Sequence, residues 1–161
     1  MFIDLIKEKV FTFDLIKEKV KEWKNNNQKI VFTNGCFDIL HLGHITYLAA
    51  ASNLGDKLVI GLNSDMSVRR LKGDSRPINN EYARSIVLAS LMMVDCIVIF
   101  EEDTPEKLIK EICPNVLVKG GDYKAEDVVG ADIVRNNGGE LHIIPFVEGY
   151  STTKIIKEKN K

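Results

Sequence analysis

The sequence predicts an α/β fold in which about five parallel strands form one sheet with helices on both faces. Three observations lead there. Short β-branched and aromatic runs alternate with helical patterns along the chain. The first such run passes through Asn34-Gly35 directly into a helix-forming stretch, the join that βαβ units use. A length of 161 residues with 45% apolar content suits one ordinary globular core.

The elements follow in order. Residues 1–25 are expected to form an amphipathic helical extension, with the main domain at 26–161. The heptapeptide Asp4 to Val10 recurs identically at Asp14 to Val20. Its Leu, Ile and Val give an apolar stripe and its Lys and Glu a polar face, so two short helices are expected, packing on the domain or on a neighbouring subunit. Strands are expected at Lys29 to Thr33, Leu58 to Leu62, Cys96 to Phe100, Val116 to Lys119 and Leu141 to Pro145. Helices are expected at Leu42 to Asn53, Glu81 to Leu91, Pro105 to Ile112, Val129 to Asn136 and Thr152 to Lys159. Thr104 should be the N-cap of the third of these and Pro105 its first residue. Gly55, Gly138 and Gly139 read as stops. Arg69 to Pro77, punctuated by Gly73 and Pro77, reads as a mobile loop.

Composition excludes several classes. A net charge of −1 argues against a general nucleic-acid or membrane surface and leaves a small anion as the expected partner. Cys36, Cys96 and Cys113 lack the paired spacing of a zinc site, and with no signal peptide or long apolar run they point to a reducing cytoplasm. No GxGxxG is present, so an ordinary dinucleotide fold is not expected.

The chemistry concentrates in Asn34-Gly35-Cys36-Phe37-Asp38-Ile39-Leu40-His41-Leu42-Gly43-His44, where strand gives way to helix. The N–H groups at a helix start are unpaired and electropositive, which favours anions. His41 and His44, two of three histidines in the chain, are three residues apart and share a helix face. Gly43 between them has no side chain to hold a ligand away. Open α/β sheets bind ligands beyond the carboxyl ends of their strands where strand order reverses; this motif, Asn63 and Lys119 all fall at such ends.

These residues resemble the nucleotidyltransferases whose signature is His-x-Gly-His, here His41-Leu42-Gly43-His44. The likeness runs from about Ile30 to Lys159. It is greatest to the adenylyltransferases that make ADP-heptose, through Gly61-Leu62-Asn63-Ser64-Asp65, Arg69-Arg70-Leu71-Lys72-Gly73, Arg76-Pro77-Ile78, Phe100-Glu101-Glu102-Asp103-Thr104-Pro105, Lys119-Gly120-Gly121-Asp122-Tyr123 and Ser151-Thr152-Thr153. The resemblance implies a Rossmann-like nucleotidyltransferase fold. It also implies transfer of AMP from ATP to D-glycero-β-D-manno-heptose 1-phosphate, with release of pyrophosphate, in lipopolysaccharide precursor synthesis.

It further implies roles for single residues. His41, His44 and Lys72 would serve the reacting phosphorus, the imidazoles as protonated or neutral N–H donors. Thr33, Asn34, Gly35, Cys36, Phe37, Asp38, Gly43, Lys119, Gly120, Asp122, Ser151, Thr152 and Thr153 would bind the nucleotide. Asn63, Arg76 and Arg84 would bind the sugar phosphate, Arg84 bridging both substrates. Other readings stay open at four places: Asp38 orients an imidazole or caps the helix, Asp122 binds hydroxyls or fixes a turn, Ser151 to Thr153 bind phosphate or only cap, and Arg84 bridges the substrates or is a helix-surface cation. Arg69 and Arg70 read equally well as a solvated charge run. Mg2+ is the implied cofactor, carried on the phosphates. The chain is expected to form a homo-oligomer and to pair functionally with a separate heptose 7-phosphate kinase.

Two alternatives compete. One is a CTP-dependent polyol-phosphate cytidylyltransferase, although Phe146 stands where that group has Arg. The other is a nucleotide-binding module without turnover, against which His41, His44, Lys72 and Lys119 all speak.

Overall fold

The computed structural model describes residues 1–121, 123–145, 147 and 149–159, with residues 154 and 157–159 as backbone alone. The elements are α1 (Phe2–Lys7), β1 (Val10–Phe11), α2 (Phe13–Asn25), β2 (Ile30–Gly35), α3 (Leu42–Ser52), β3 (Lys57–Asn63), α4 (Asp65–Lys72), α5 (Glu81–Ala89), β4 (Cys96–Phe100), α6 (Glu106–Ile112), β5 (Val116–Gly120), α7 (Ala131–Asn136), β6 (Glu140–Ile144) and α8 (Thr152–Lys159). A 3-10 turn at Ala125–Asp127 precedes α7.

All strands are parallel, in the order β1-β4-β3-β2-β5-β6. From β2 the chain moves outward through β3 to β4, then returns to place β5 and β6 on the other side of β2. Strand order therefore reverses between β2 and β5, and the crevice above that point opens between their carboxyl ends.

Alternation along the strands builds two cores, as a sheet covered on both faces requires. Ile30, Phe32, Val59 and Val98 face α2, α6 and α7, joining Ile16, Trp23, Leu108, Ile109 and Val134. Val31, Leu58, Ile60, Leu62 and Ile97 face α3 and α5, joining Leu48, Ala51, Leu88 and Ala89. Full burial of Ile16 or Leu48 contributes roughly 1.5–3 kcal/mol relative to exposure.

The structure departs from the sequence reading in four places. The sheet has six strands, because Val10 and Phe11 pair with Ile97 and Val98 at the edge beside β4; two residues are too few to show a period. Residues 69–72 are helical and not loop. Ser64 caps α4 by accepting from the Ser67 N–H at 3.1 Å, Asp65 sits in the first turn, and Arg69, Arg70 and Lys72 in the last turn complement the helix dipole. Thr104 is not the cap of α6: Pro105 holds that position, its carbonyl accepting from Ile109 N–H at 2.9 Å. Helix α7 begins at Ala131 and not at Val129, because Gly130 before it has φ +85°.

Candidate functional site

The turn after β2 delivers its groups through backbone geometry. His41 is extended (φ −144°, ψ 173°) and stands at the N-cap of α3, its carbonyl accepting from the N–H groups of His44 at 2.9 Å and Ile45 at 3.2 Å. No side chain among the described residues caps this helix, so its leading N–H groups are open to an anion. The His41 and His44 rings stack, with centroids 3.9 Å apart and planes at 26°, and Phe37 packs at 5.4 Å against His44. A Cβ on Gly43 would lie 3.0 Å from the His41 ring and 3.3 Å from Tyr150 Cβ, so glycine is what lets α3 start this close to both.

Both imidazole Nδ1 atoms are buried without a hydrogen-bond partner among the described residues. Burial, with His41 adding repulsion, pushes His44 down to about 4, and burial lowers His41 as well. The pair is therefore neutral near pH 7 in the free protein, which favours the neutral donor form over the protonated one. Unpartnered buried polar atoms are costly and are tolerated where a ligand completes them.

Asp38 neither caps α3 nor touches an imidazole. Its carboxylate accepts from Arg76 Nε at 2.7 Å, from Ile78 N–H at 2.8 Å and from Asn79 N–H at 2.9 Å. Burial alone would raise this carboxyl, but the Asn79 and Ile78 N–H groups and the Arg76 guanidinium outweigh it and hold it below the usual range. The segment bearing Arg76 is thus tied to the turn after β2 at this point. Lys119, at the end of β5, donates to Asn34 Oδ1 at 3.2 Å and lies 5.5 Å over the Tyr123 ring; burial lowers its pKa, partly opposed by Cys36. Lys72 is exposed at the end of α4 and faces the same space.

These groups surround one cleft of about 660 Å³. Its walls include His41, His44, Lys72, Asn34, Gly35, Cys36, Phe37, Asp38, Gly43, Lys119, Gly120, Ser151, Thr152, Thr153, Asn63 and Arg76. Thr33 and Arg84 lie behind the wall: Thr33 shares a 2.6 Å hydrogen bond with Tyr47, and Arg84 is 2% exposed. Asp122 and Phe146 fall outside the described residues. Thr152 Oγ1 donates to the Ile39 carbonyl at 3.4 Å, docking the start of α8 on the turn before α3. The sequence reading did not single out Tyr47, Asp127, Val128, Val129, Val147 or Tyr150, which also line the cleft, as does Leu71 of the block from Arg69 to Gly73. Asp103, Thr104, Pro105 and Tyr123 lie there too and belong to blocks the resemblance had already marked.

Among the described residues, no group of three or more His, Cys, Asp or Glu side chains is arranged to hold a metal ion. Mg2+ needs no such protein cage, since it keeps several waters and is held through substrate phosphates with one or two carboxylates. No helix among them is long and apolar enough to cross a membrane.

An open parallel sheet whose switch point offers an uncapped helix start and basic side chains to an anion is the architecture of a phosphate-binding α/β protein. The chain belongs to the cytidylyltransferase-like family, whose profile matches residues 32–158. It is 54% identical over 149 residues to the bifunctional protein HldE of Haemophilus ducreyi, covering 92% of this chain and 31% of that protein. Against HldE of Aliarcobacter butzleri it is 57% identical over 146 residues, covering 91% of this chain and 30% of that one. The chain thus spans under a third of the length of these relatives. Among solved structures it is similar to the lipopolysaccharide core biosynthesis protein from Thermoplasma volcanium GSS1, with a TM-score of 0.60 and 31% identity over 77% of this chain and 99% of that one. Pantoate-beta-alanine ligase from Francisella tularensis shares the fold alone, at TM-score 0.55 and 14% identity, over 89% of this chain and 75% of that one.

Proposed function

We propose that this chain transfers AMP from ATP to D-glycero-β-D-manno-heptose 1-phosphate, giving ADP-heptose and pyrophosphate for lipopolysaccharide synthesis in the cytoplasm. The observation that carries the reading is the stacked, neutral imidazole pair with unpartnered nitrogens at the uncapped start of α3, set in a cleft rimmed by cations. The similarity to HldE proteins and to a lipopolysaccharide core biosynthesis protein directs it to this substrate class.

In the proposed reaction an oxygen of the sugar phosphate attacks the α-phosphorus of ATP, the bond to the β-phosphate oxygen breaks, and pyrophosphate leaves. A phosphate monoester with a second pKa of about 6 is already a dianion at neutral pH, so no general base is required. The protein's task is orientation and charge neutralisation. His41 and His44 donate N–H groups to the oxygens that gain charge, the leading N–H groups of α3 add their partial charge, and Lys72, Arg76 and Lys119 offset the negative phosphates. Mg2+ bound to the triphosphate would offset part of the phosphate charge, leaving orientation of the nucleotide to the chain's own donors and cations. A heptose 7-phosphate kinase and a second copy of this chain are the proposed partners.

The test is pyrophosphate release with ATP and with CTP against a panel of sugar and polyol phosphates. ATP should exceed CTP by at least tenfold in kcat/KM with the heptose 1-phosphate, a discrimination of only about 1.4 kcal/mol. Equal or preferred use of CTP would refute the adenylyl reading.

A further inference from the structure

Arg84 sits in the middle of α5, fully enclosed and away from the cleft surface. Its nitrogens meet four acceptors: Nε donates to the Asn79 carbonyl at 3.0 Å, Nη1 to the carbonyls of Cys36 at 2.7 Å and Asn63 at 2.8 Å, and Nη2 to the Asp65 carboxylate at 2.8 Å. A buried guanidinium is expensive to desolvate and more expensive to leave half paired, so a set this complete holds one geometry.

The acceptors come from different parts of the site. Cys36 follows β2 and leads into the histidine turn, Asn63 ends β3, and Asn79 closes the segment that carries Arg76. Asn79 is the joint: besides its carbonyl on Arg84, its N–H and its Nδ2 reach the Asp38 carboxylate and carbonyl, each at 2.9 Å. Asp38 in turn holds Arg76.

We propose that Arg84, acting through Asn79 and Asp38, is a positioning residue that fixes the spacing between the histidine turn and the Arg76 segment, and is not a ligand of either substrate. The proposal rests on the transferase reading above for what the spacing serves. Two substrates that react in line must be held with their reacting atoms about 3–3.5 Å apart, and a misplacement of about 1 Å can cost roughly 100-fold in rate. A lysine keeps the charge but has one nitrogen, which cannot span acceptors on separate elements as a planar fork does.

The experiment compares Arg84→Lys and Asn79→Ala with the native chain. It measures kcat, both KM values, the melting temperature, and the 15N NMR signals of His41 and His44 in the free protein. The native chain is assayed first with ATP and CTP on the phosphate panel. A failure of the proposed function appears there, in the native enzyme's substrate choice, whereas the positioning role is read from variant-to-native ratios with whichever pair turns over, and from the NMR signals if none does. Arg84→Lys should lower kcat by about 30-fold or more while both KM values stay within about threefold, and should shift the histidine signals. Asn79 is exposed, so its truncation should keep the melting temperature while lowering kcat by roughly fivefold and moving the same signals. A selective rise in the sugar-phosphate KM would make Arg84 a substrate ligand and overturn the proposal. So would a lower melting temperature with kcat and the histidine signals unchanged. If Arg84→Lys does not fold, Asp65→Asn, which removes the charge of the only side-chain acceptor of Arg84 while keeping its shape, decides, and native kcat and histidine signals in it overturn the proposal.

Discussion

Replacing His44 by alanine tests the centre of the proposed chemistry. Burial and the neighbouring His41 hold the imidazole down to about 4 in the free protein, so it meets the triphosphate as a neutral N–H donor. Its contribution should come when charge builds on the oxygens around phosphorus, where loss of one preorganised donor costs about 100- to 1,000-fold in kcat, roughly 2.7–4 kcal/mol. His44→Ala should therefore lower kcat by that factor and leave the calorimetric Kd for nucleotide within severalfold. Pyrophosphate release at saturating substrates gives the first quantity. An unchanged kcat would refute the role, and a large loss of nucleotide affinity with kcat intact would make His44 a binding group only.

The same residue leaves a mark on stability that does not depend on turnover. His44 titrates near 6.5 in the unfolded chain and at about 4 in the folded one, so between those values the unfolded state binds more protons. Stability should fall as pH falls through the window from 6.5 to 4, and should be insensitive to this group above it. In His44→Ala the drop in melting temperature between pH 7 and pH 5 should be smaller than in the native protein. An equal drop in both would mean that His44 titrates alike in the folded and unfolded chain.

Two further outcomes separate site from scaffold. Lys72→Ala should reduce kcat/KM by more than about 30-fold with an unchanged melting temperature, whereas Lys110→Ala, which removes an exposed helix pair with Glu106 worth about 0.3–0.5 kcal/mol, should change neither by a measurable amount. Ile16→Ala, at a fully buried position, should cost about 2–5 kcal/mol in urea unfolding, and Ile6→Ala, only partly buried, distinctly less, both with native kcat; equal costs would refute the assignment of the two isoleucines to different packing environments.

The strands β2 to β6 were legible because a parallel sheet covered on both faces demands continuous apolar runs, and Ile30-Val31-Phe32 and Cys96-Ile97-Val98-Ile99-Phe100 are such runs. The imidazole pair was legible because α-helical spacing alone puts residues three apart on one face. Helix α4 was not, since its charged last turn reads like a loop; Ser64 before Asp65 was the capping signal that would have shown it. The environment of Arg84 could not be read from sequence. Its acceptors are mostly backbone carbonyls, which carry no residue identity, and its carboxylate partner Asp65 lies 19 positions away on another element. The grip of Asp38 on Arg76, Ile78 and Asn79 was hidden for the same reason, spanning 38 to 41 residues of separation.

The repeated heptapeptide shows where local sequence stops deciding. In the second copy every residue from Asp14 to Val20 is helical, with Ile16 and Val20 buried under one face of the sheet. In the first, helix ends at Lys7, Lys9 Nζ donates to the carbonyls of Val94 at 2.8 Å and Leu91 at 3.4 Å, and Val10 is a strand residue opposite Ile97. Ile6 and Val10 pack against the opposite core. Helix propensity is identical in the two copies, so flanking residues and tertiary partners make the difference. Phe11-Thr12 after the first copy is β-favouring, and Thr12 caps the next helix by accepting from Leu15 N–H at 3.3 Å; Lys21-Glu22-Trp23 after the second simply continues the turn. The Lys9 carbonyl then accepts from Ile97 N–H at 2.8 Å, which draws the segment onto the free edge of β4. That edge is the far side of the sheet from β2 and β5, so the first copy bears on the frame, while Ile16 of the second lies inside the core under α2; substitutions at Ile16 and at Lys72 should therefore divide between unfolding and turnover.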